Sequence, residues 1–225
     1  MNKPEAFVVD FDGTVTTRDM SDELLDVFVG SVWRQLYPEG THPREWLTGT
    51  ARLLPDNPKL LLEYILANVE VRPGFAEFVT YCQNHRIPVI VASDGFGFYI
   101  EAVLKQVGIE GVVIYRNDVL FNGTPSPVIR HPHETCLICG NCKARVVREL
   151  RRRHGCVGYI GDGCNDKFGS SHADVVFARD CLANIYDQYG IAYVYWEHFF
   201  QVVDALCDGI TCREPQSLCP PGINW

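Results

Sequence analysis

The segment AFVVDFDGTV (residues 6–15) joins a short apolar run to two carboxylates. A continuous apolar run of this length is typical of a buried strand in a parallel sheet. Asp10 and Asp12 lie two residues apart, so their side chains face the same way at the end of that strand and repel each other. The segment therefore predicts a buried strand whose end requires a compensating partner for two like charges.

Apolar runs and helical patterns alternate from about residue 72 to residue 195. The runs PVIVASDG and CVGYIGDG resemble the first strand, because each is apolar and ends in polar residues. This alternation predicts an α/β fold, a doubly wound parallel sheet with a Rossmann-like core. Residues 17–71 carry only helical patterns and are predicted to form a small helical cap inserted after the first strand. The core is then predicted to comprise residues 1–16 and 72–225.

Polar clusters stand at the ends of three predicted strands. The clusters are Asp10 with Asp12, then Ser93, Asp94 and Gly95, and finally Asp162 with Asp166. Because ligands bind beyond the carboxyl ends of parallel strands, the three clusters are expected to form one site. Four carboxylates without His or Cys favour Mg²⁺, which prefers oxygen ligands.

The same expected site contains groups that bind phosphate. They are the Ser93 hydroxyl, the backbone N–H groups around Gly95, and Lys143 at the start of the helix that precedes the third strand. A phosphate held beside free carboxylates indicates phosphoryl transfer. Asp10 is then the candidate nucleophile, and Asp12 is the candidate general acid and base.

The segments DFDGTVT, VASDG and GDGCND, together with Lys143, resemble the four motifs of the haloacid dehalogenase (HAD) superfamily of phosphatases, in the same order. The resemblance spans about residues 7–195, and the helical insertion is similar to the cap of the phosphoserine-phosphatase-like subfamily. It implies a Mg²⁺-dependent phosphomonoesterase that acts on a small phosphorylated metabolite through an aspartyl-phosphate. The resemblance implies that Asp10 is the nucleophile and a Mg²⁺ ligand, and that Asp12 is the general acid and base and binds Mg²⁺ by its backbone carbonyl. It also implies that Asp162 is a Mg²⁺ ligand and that Asp166 supports the metal. The implied phosphate-binding residues are Ser93, Asp94, Gly95 and Lys143.

Substrate specificity is expected to depend on the cap. Phosphoserine phosphatases typically show Ser-Gly-Gly where this chain has Ser93-Asp94-Gly95, which weighs against phosphoserine. Asp19 is a candidate for binding a substrate ammonium or hydroxyl, with helix N-capping as the alternative, and Arg52 is a candidate to face the substrate. The chain resembles both the methionine-salvage phosphatases that act on 2-hydroxy-3-keto-5-methylthiopentenyl-1-phosphate and the phosphoethanolamine/phosphocholine phosphatases, and it resembles the former more.

Three of the ten cysteines, Cys136, Cys139 and Cys142, have the spacing C-x₂-C-x₂-C directly before Lys143. This spacing suits a structural Zn²⁺, with His131, His133 or a distant cysteine as the fourth ligand. Free thiols and disulfides are the alternatives.

The bulk composition narrows the function classes. A net charge of -8 argues against nucleic-acid binding. No apolar run is long enough to span a membrane, and no signal peptide is evident, so a cytoplasmic monomer or homodimer is expected. In that compartment thiols are expected before disulfides. A phospho-accepting signalling module without turnover is the alternative of another class, although it lacks a helical cap.

Overall fold

The computed structural model describes residues 3–38 and 40–221. Within that part of the chain, seven strands form one sheet in the order β4-β3-β2-β1-β5-β6-β7. The strands are β1 (Ala6–Val9), β2 (Val89–Phe96), β3 (Val113–Leu120), β4 (Ser126–Val128), β5 (Val157–Gly161), β6 (Val175–Ala178) and β7 (Val194–Tyr195). The helices are α1 (Met20–Phe28), α2 (Val32–Leu36), α3 (Pro43–Ala51), α4 (Pro58–Asn68), α5 (Phe75–Asn84), α6 (Gly97–Gln106), α7 (Lys143–His154), α8 (Asp166–Ser170), α9 (Asp180–Tyr189) and α10 (Phe199–Asp208).

The first strand lies at the centre of the sheet. It pairs in parallel with β2 on one side and with β5 on the other, and all four of its side chains are buried. The predicted doubly wound parallel α/β sheet is therefore confirmed. β3 and β4 pair in antiparallel fashion, across the Asn122-Gly123 turn that the sequence indicates. Because β1, β2 and β5 are parallel neighbours, their carboxyl ends meet at one edge.

The predicted helical insertion follows β1 and contains α1 to α4. Its ends come together at the base, where Thr16 and Val71 form an antiparallel bridge. Local signals fix the helix starts, because Asp19 caps α1 and Asn57 caps α4, which has a proline in its first turn. None of the described helices has both the length and the apolar character needed to cross a membrane.

Two disulfides, Cys156–Cys212 and Cys164–Cys181, correct the expectation that the cysteines stay as thiols. No pairing could be predicted from the sequence, because each bond joins segments that only the fold brings together. The Cα atoms lie 6.5 Å apart in the first pair and 5.1 Å apart in the second. Both separations suit a disulfide. The second bond ties the segment after β5 to the first turn of α9.

Arg72, at the end of the insertion, is buried and supports the turn that follows β1. Its Nε donates to the carbonyl of Thr14 at 2.9 Å, and its guanidinium also donates to the carbonyls of Gly13 and Glu197. Sequence analysis did not single out this residue. One side chain thus connects the turn after β1 with the segment before α10.

We expect Arg72→Ala to lower the free energy of unfolding by about 3 kcal/mol, because it leaves buried carbonyls without donors. Urea unfolding measures the change. Arg52→Ala is the matched control, since Arg52 is exposed at the end of α3 and its loss should cost less than about 0.5 kcal/mol. Equal effects of the two substitutions would contradict this role of Arg72.

Candidate active site

Lys143, the first residue of α7, lies buried between two carboxylates at the carboxyl edge of the sheet. Its Nζ donates to Oδ1 of Asp10 at 2.6 Å and to Oδ1 of Asp166 at 2.7 Å. Lysine is almost never this buried unless it is paired. The contact therefore joins β1, α7 and the start of α8 at one point, as the three sequence motifs predicted.

Further hydrogen bonds fix the carboxylate of Asp166. The Tyr159 hydroxyl donates to Oδ1 at 2.6 Å, and the backbone N–H groups of Asp162 and Gly163 donate to Oδ2 at 3.2 and 3.0 Å. Both oxygens of Asp166 are thus occupied by protein donors. Asp166 therefore holds Lys143 and the turn after β5 in place. That turn positions Asp162.

Among the described residues, one group of three or more His, Cys, Asp or Glu side chains could share a metal ion. It consists of Asp10, Asp162 and Asp166, with one oxygen from each within 4.8 Å of the others. Asp162 also accepts a short hydrogen bond from the Thr14 hydroxyl. The donor set is all oxygen and suits Mg²⁺.

Gly13 allows the turn after β1 to approach this group. Its φ is +80°, and a side chain there would overlap the Asp162 carboxylate. A glycine is therefore required both by the backbone conformation and by the close approach. The Gly13-Thr14 pair of the first motif thus brings the β1 and β5 ends together.

The Asp12 carboxylate is not part of the metal group and is bonded at the base of the cap. Its Oδ1 accepts from the N–H of Met20 at 3.1 Å. Its Oδ2 accepts from the hydroxyls of Tyr99 at 2.7 Å and Ser93 at 3.3 Å. The Tyr99 hydroxyl also lies 2.9 Å from that of Ser21. Neither aromatic hydroxyl of the site, Tyr99 or Tyr159, was predicted, because tyrosines at helical or strand spacing are indistinguishable from core residues.

The end of β2 brings Ser93 and Gly95 to the same site. The Ser93 hydroxyl accepts from the Gly95 N–H at 2.8 Å. A side chain on Gly95 would overlap the Tyr99 hydroxyl and the Asp12 carboxylate. Asp94 lines the cavity too, but its carboxylate accepts from the N–H of Asn141 at 2.6 Å. Asp94 therefore connects β2 to the cysteine-bearing segment before Lys143.

A cavity of about 610 Å³ opens above these residues and extends under the cap. Asp19 lines it and also caps α1, where its Oδ1 accepts from the Asp22 N–H at 3.0 Å, so both sequence interpretations of Asp19 are compatible with its place. Arg52 is exposed and does not line the cavity, in contrast to the prediction. The cap contributes the following cavity residues, which sequence analysis missed: Arg18, Asp22, Trp33, Arg34, Tyr37 and Trp46.

The electrostatics of the site reflect crowded carboxylates in a desolvated place. Burial, followed by the charge of Asp166, raises the pKa of Asp162 to about 7. Burial, followed by Asp166, also holds the pKa of Asp10 well above its usual range, although Lys143 opposes this. Burial alone would lower the pKa of Lys143, but Asp10, Asp166 and Asp94 together raise it well above its usual value. The lysine is thus charged, and one positive charge does not offset the negative charge around it.

Asp12 has a separate electrostatic environment. Burial is the main cause that raises its pKa well above the usual range, and the charge of Asp19 adds to it. The hydrogen bonds from Tyr99, Met20 and Ser93 act in the opposite direction. The direction of this shift favours the protonated form of Asp12, which is the form that a general acid requires.

The predicted zinc ligands Cys136, Cys139 and Cys142 lie together in the segment before α7. Their three sulfur atoms do not all lie within 4.8 Å of one another, so these cysteines do not form a compact group of the kind that the carboxylates form. All three are free thiols. The zinc prediction is not supported by the arrangement of these three residues alone.

These features define a class, a capped α/β hydrolase with an acidic active site at the carboxyl edge of its sheet. The sequence model of the haloacid dehalogenase-like hydrolases matches residues 7–167, and the chain belongs to this family. Within that family it is an enzyme of the phosphatase type. The signalling alternative is therefore set aside.

Relatives with similar sequences support this assignment. The 2-hydroxy-3-keto-5-methylthiopentenyl-1-phosphate phosphatase of Bacillus pumilus is 31% identical, over 90% of each chain. The enzyme of the same name from Geobacillus kaustophilus is 31% identical, over 92% of this chain and 97% of its own. Among solved structures, a substrate-bound phosphoserine phosphatase complex has a TM-score of 0.70 at 16% identity, covering 91% of this chain and 99% of that one. The structural likeness shows the shared fold.

The raised pKa of Asp162 predicts how stability depends on pH. The ordinary value is 3.8 and the folded value is about 7, so the folded state binds this proton more tightly than the unfolded state does. The free energy of unfolding of the metal-free protein should therefore fall as the pH rises through this window. Urea unfolding in EDTA between about pH 5 and pH 7.5 measures it, and Asp162→Asn should flatten the dependence. Greater stability at the higher pH would contradict the assignment.

Proposed function

We propose that the chain is a Mg²⁺-dependent phosphomonoesterase that hydrolyses a small phosphorylated metabolite through an aspartyl-phosphate. The observation that carries the proposal is the buried Lys143 ammonium between Asp10 and Asp166, beside Asp162. A phosphate is the ligand that a lysine, a hydroxyl, backbone N–H groups and a divalent cation would bind in common. The carboxylate of Asp10 is then in place to attack it.

Asp10 and Asp12 divide the reaction into two steps. In the first, an Asp10 oxygen forms a bond to phosphorus while the bond to the substrate oxygen breaks, and Asp12 gives its proton to the leaving alkoxide. In the second, Asp12 takes a proton from a water molecule whose oxygen forms a bond to phosphorus, while the bond between phosphorus and the Asp10 oxygen breaks, which releases inorganic phosphate and regenerates the Asp10 carboxylate. The raised pKa of Asp12 supports the first step, because the group must begin protonated.

Lys143 and Ser93 are the proposed phosphate ligands, together with the backbone around Asp94 and Gly95. Lys143 also holds Asp10 at 2.6 Å, so the nucleophile cannot rotate away from the phosphate. The group formed by Asp10, Asp162 and Asp166 fits Mg²⁺ by its donor set. Asp10 and Asp162 would hold the ion directly with the Asp12 carbonyl, and Asp166 would support it. Bound Mg²⁺ would offset negative charge on the phosphate during transfer.

We propose residues 17–71 as a cap that selects the substrate, and 2-hydroxy-3-keto-5-methylthiopentenyl-1-phosphate as that substrate. The relatives that carry this activity in their names align along nearly the whole chain. The aromatic side chains of Trp33, Tyr37 and Trp46 line the cap side of the cavity. Such a wall suits the apolar methylthio end of that molecule.

A phosphorylated amino alcohol, such as phosphoethanolamine, phosphocholine or phosphoserine, is the second candidate. Asp19 and Asp22 line the same cavity and carry the charge that an ammonium group would need. Aromatic rings beside carboxylates also bind cations. Against this candidate, Arg34 lies 3.9 Å from Asp22 and 4.3 Å from the Trp33 ring centre, so a protein cation already occupies this part of the wall.

Asp10→Asn should reduce phosphate release from p-nitrophenyl phosphate by more than about 10³-fold, because an amide is not a nucleophile at phosphorus. The reaction is followed with Mg²⁺ and with EDTA. Asp204→Asn is the matched control, since this carboxylate is exposed on α10 and should leave the rate unchanged. Circular dichroism tests whether the variants remain folded. Full activity of a folded Asp10→Asn variant would exclude the mechanism.

The two substrate classes are separated by comparing kcat/KM for the methylthio ester, phosphoethanolamine and phosphocholine. We expect at least a tenfold preference for the methylthio ester, which corresponds to about 1.4 kcal/mol. Asp22→Asn should leave that preference intact, because the uncharged tail makes no ion pair. A higher kcat/KM for phosphoethanolamine or phosphocholine that is lost in Asp22→Asn would instead identify the phosphorylated amino alcohols as the substrate class.

A further inference from the structure

Four free cysteines meet at one small cavity behind the active site. Cys136, Cys139 and Cys142 come from the segment before α7, and Cys219 comes from the C-terminal segment, 77 residues beyond Cys142 in the sequence. The cavity has a volume of about 10 Å³, which is close to the smallest space that one water molecule needs and excludes an organic ligand. The fold thus brings thiols from two distant segments around a space the size of a single atom.

The position of Cys219 is fixed by contacts of its own segment with the turn that follows α8. The Leu218 N–H donates to the Ser171 hydroxyl at 3.0 Å, and the Cys219 Sγ lies 3.5 Å from His172 Nε2. The C-terminal segment is therefore docked at this place by contacts other than those among the cysteines.

We propose that Cys136, Cys139, Cys142 and Cys219 bind Zn²⁺ as a four-thiolate structural site. Four cysteines in two groups, with C-x₂-C spacing in the first, are the ligand set of tetrahedral structural zinc. Binding releases the thiol protons to solvent and requires the side chains to rotate toward the ion, since no three sulfurs now lie within 4.8 Å of one another. His133 is a poorer fourth ligand, because its Nδ1 accepts from the N–H groups of Thr135 and Cys136 and so holds the local turn.

The site would fix a segment that touches both the cap and the catalytic edge. Arg44, in the cap helix α3, donates to the carbonyls of Cys139 at 2.9 Å and Cys136 at 3.3 Å. Asn141 donates by its N–H to Asp94 and by its amide to the carbonyl of Ser93. Cys142 directly precedes Lys143. A zinc ion at the four cysteines would therefore hold the cap, the end of β2 and the phosphate-binding lysine in register.

The test uses the full chain purified under anaerobic conditions without chelator and without added thiol, so that the two disulfides stay intact and no other thiol binds the metal. Metal analysis should find about one zinc ion per chain, the stoichiometry of one structural site. Replacement of zinc by Co²⁺ should give the thiolate-to-metal charge-transfer band and the d–d absorption of a tetrahedral thiolate site. Co²⁺ at the carboxylate group gives no thiolate band, so the two sites are distinguished without an activity measurement. Absence of this band in wild-type protein whose four cluster thiols are free would overturn the proposal.

Variants identify the ligands. Cys136→Ser and Cys219→Ser should each weaken zinc binding and reduce the band, whereas Cys207→Ser should change neither, because Cys207 is a free and exposed thiol. Circular dichroism before the titration shows that each variant is folded. An unchanged band in folded Cys219→Ser would exclude Cys219 as a ligand. Phosphate release with Mg²⁺ is measured separately, so failure of the zinc proposal leaves the phosphatase proposal standing.

Discussion

The ion pairs of Lys143 with Asp10 and Asp166 are the contacts on which the site depends. They are buried, they are 2.6 and 2.7 Å long, and they join three segments that are far apart in the sequence. Removing one member of such a cluster leaves an uncompensated buried charge, which costs far more than an exposed ion pair contributes. The lysine that joins these segments is also the residue proposed above as a phosphate ligand. Stability and binding rest on one side chain here.

The parallel sheet explains why the charges are crowded in the first place. Parallel strands deliver their carboxyl ends to one edge, and the polar residues that end β1, β2 and β5 have nowhere else to lie. Burial first, and neighbouring carboxylates second, raise the pKa of Asp10, Asp12 and Asp162. An edge with clustered carboxylates favours ligands that bring positive charge. It also suits reactions that use one protonated and one ionised carboxyl group. The clustered carboxylates therefore destabilise the folded chain, as is typical of groups that serve a function rather than stability.

The sequence predicted the parts of the structure that short patterns encode. Apolar runs that end in Asp, Ser or Gly located the strand ends. The shared face expected for Asp10 and Asp12 does not appear in their contacts, because Asp10 bonds to Lys143 whereas Asp12 bonds to Met20 and Tyr99. The sequence could not locate Tyr99, Tyr159 or Asn141, since their roles depend on partners distant in the sequence. The prediction that Arg52 faces the substrate was wrong for the same reason. A helical pattern shows which residues share a face of the helix but not where that face points. The orientation of the cap on the core decides which arginine lines the cavity. Disulfide partners likewise follow from the fold.

The segment between β4 and α7 shows how the cap and core depend on each other. It lacks regular structure, yet it receives hydrogen bonds from Arg44 of the cap and gives them to Asp94 of the core. An irregular segment pays a large conformational entropy for such a fixed path, and side-chain hydrogen bonds alone offset little of it. The zinc site proposed above at its cysteines would add to the bonds that hold this segment. Placing those residues directly before Lys143 makes the order of this segment a condition for the position of the catalytic edge.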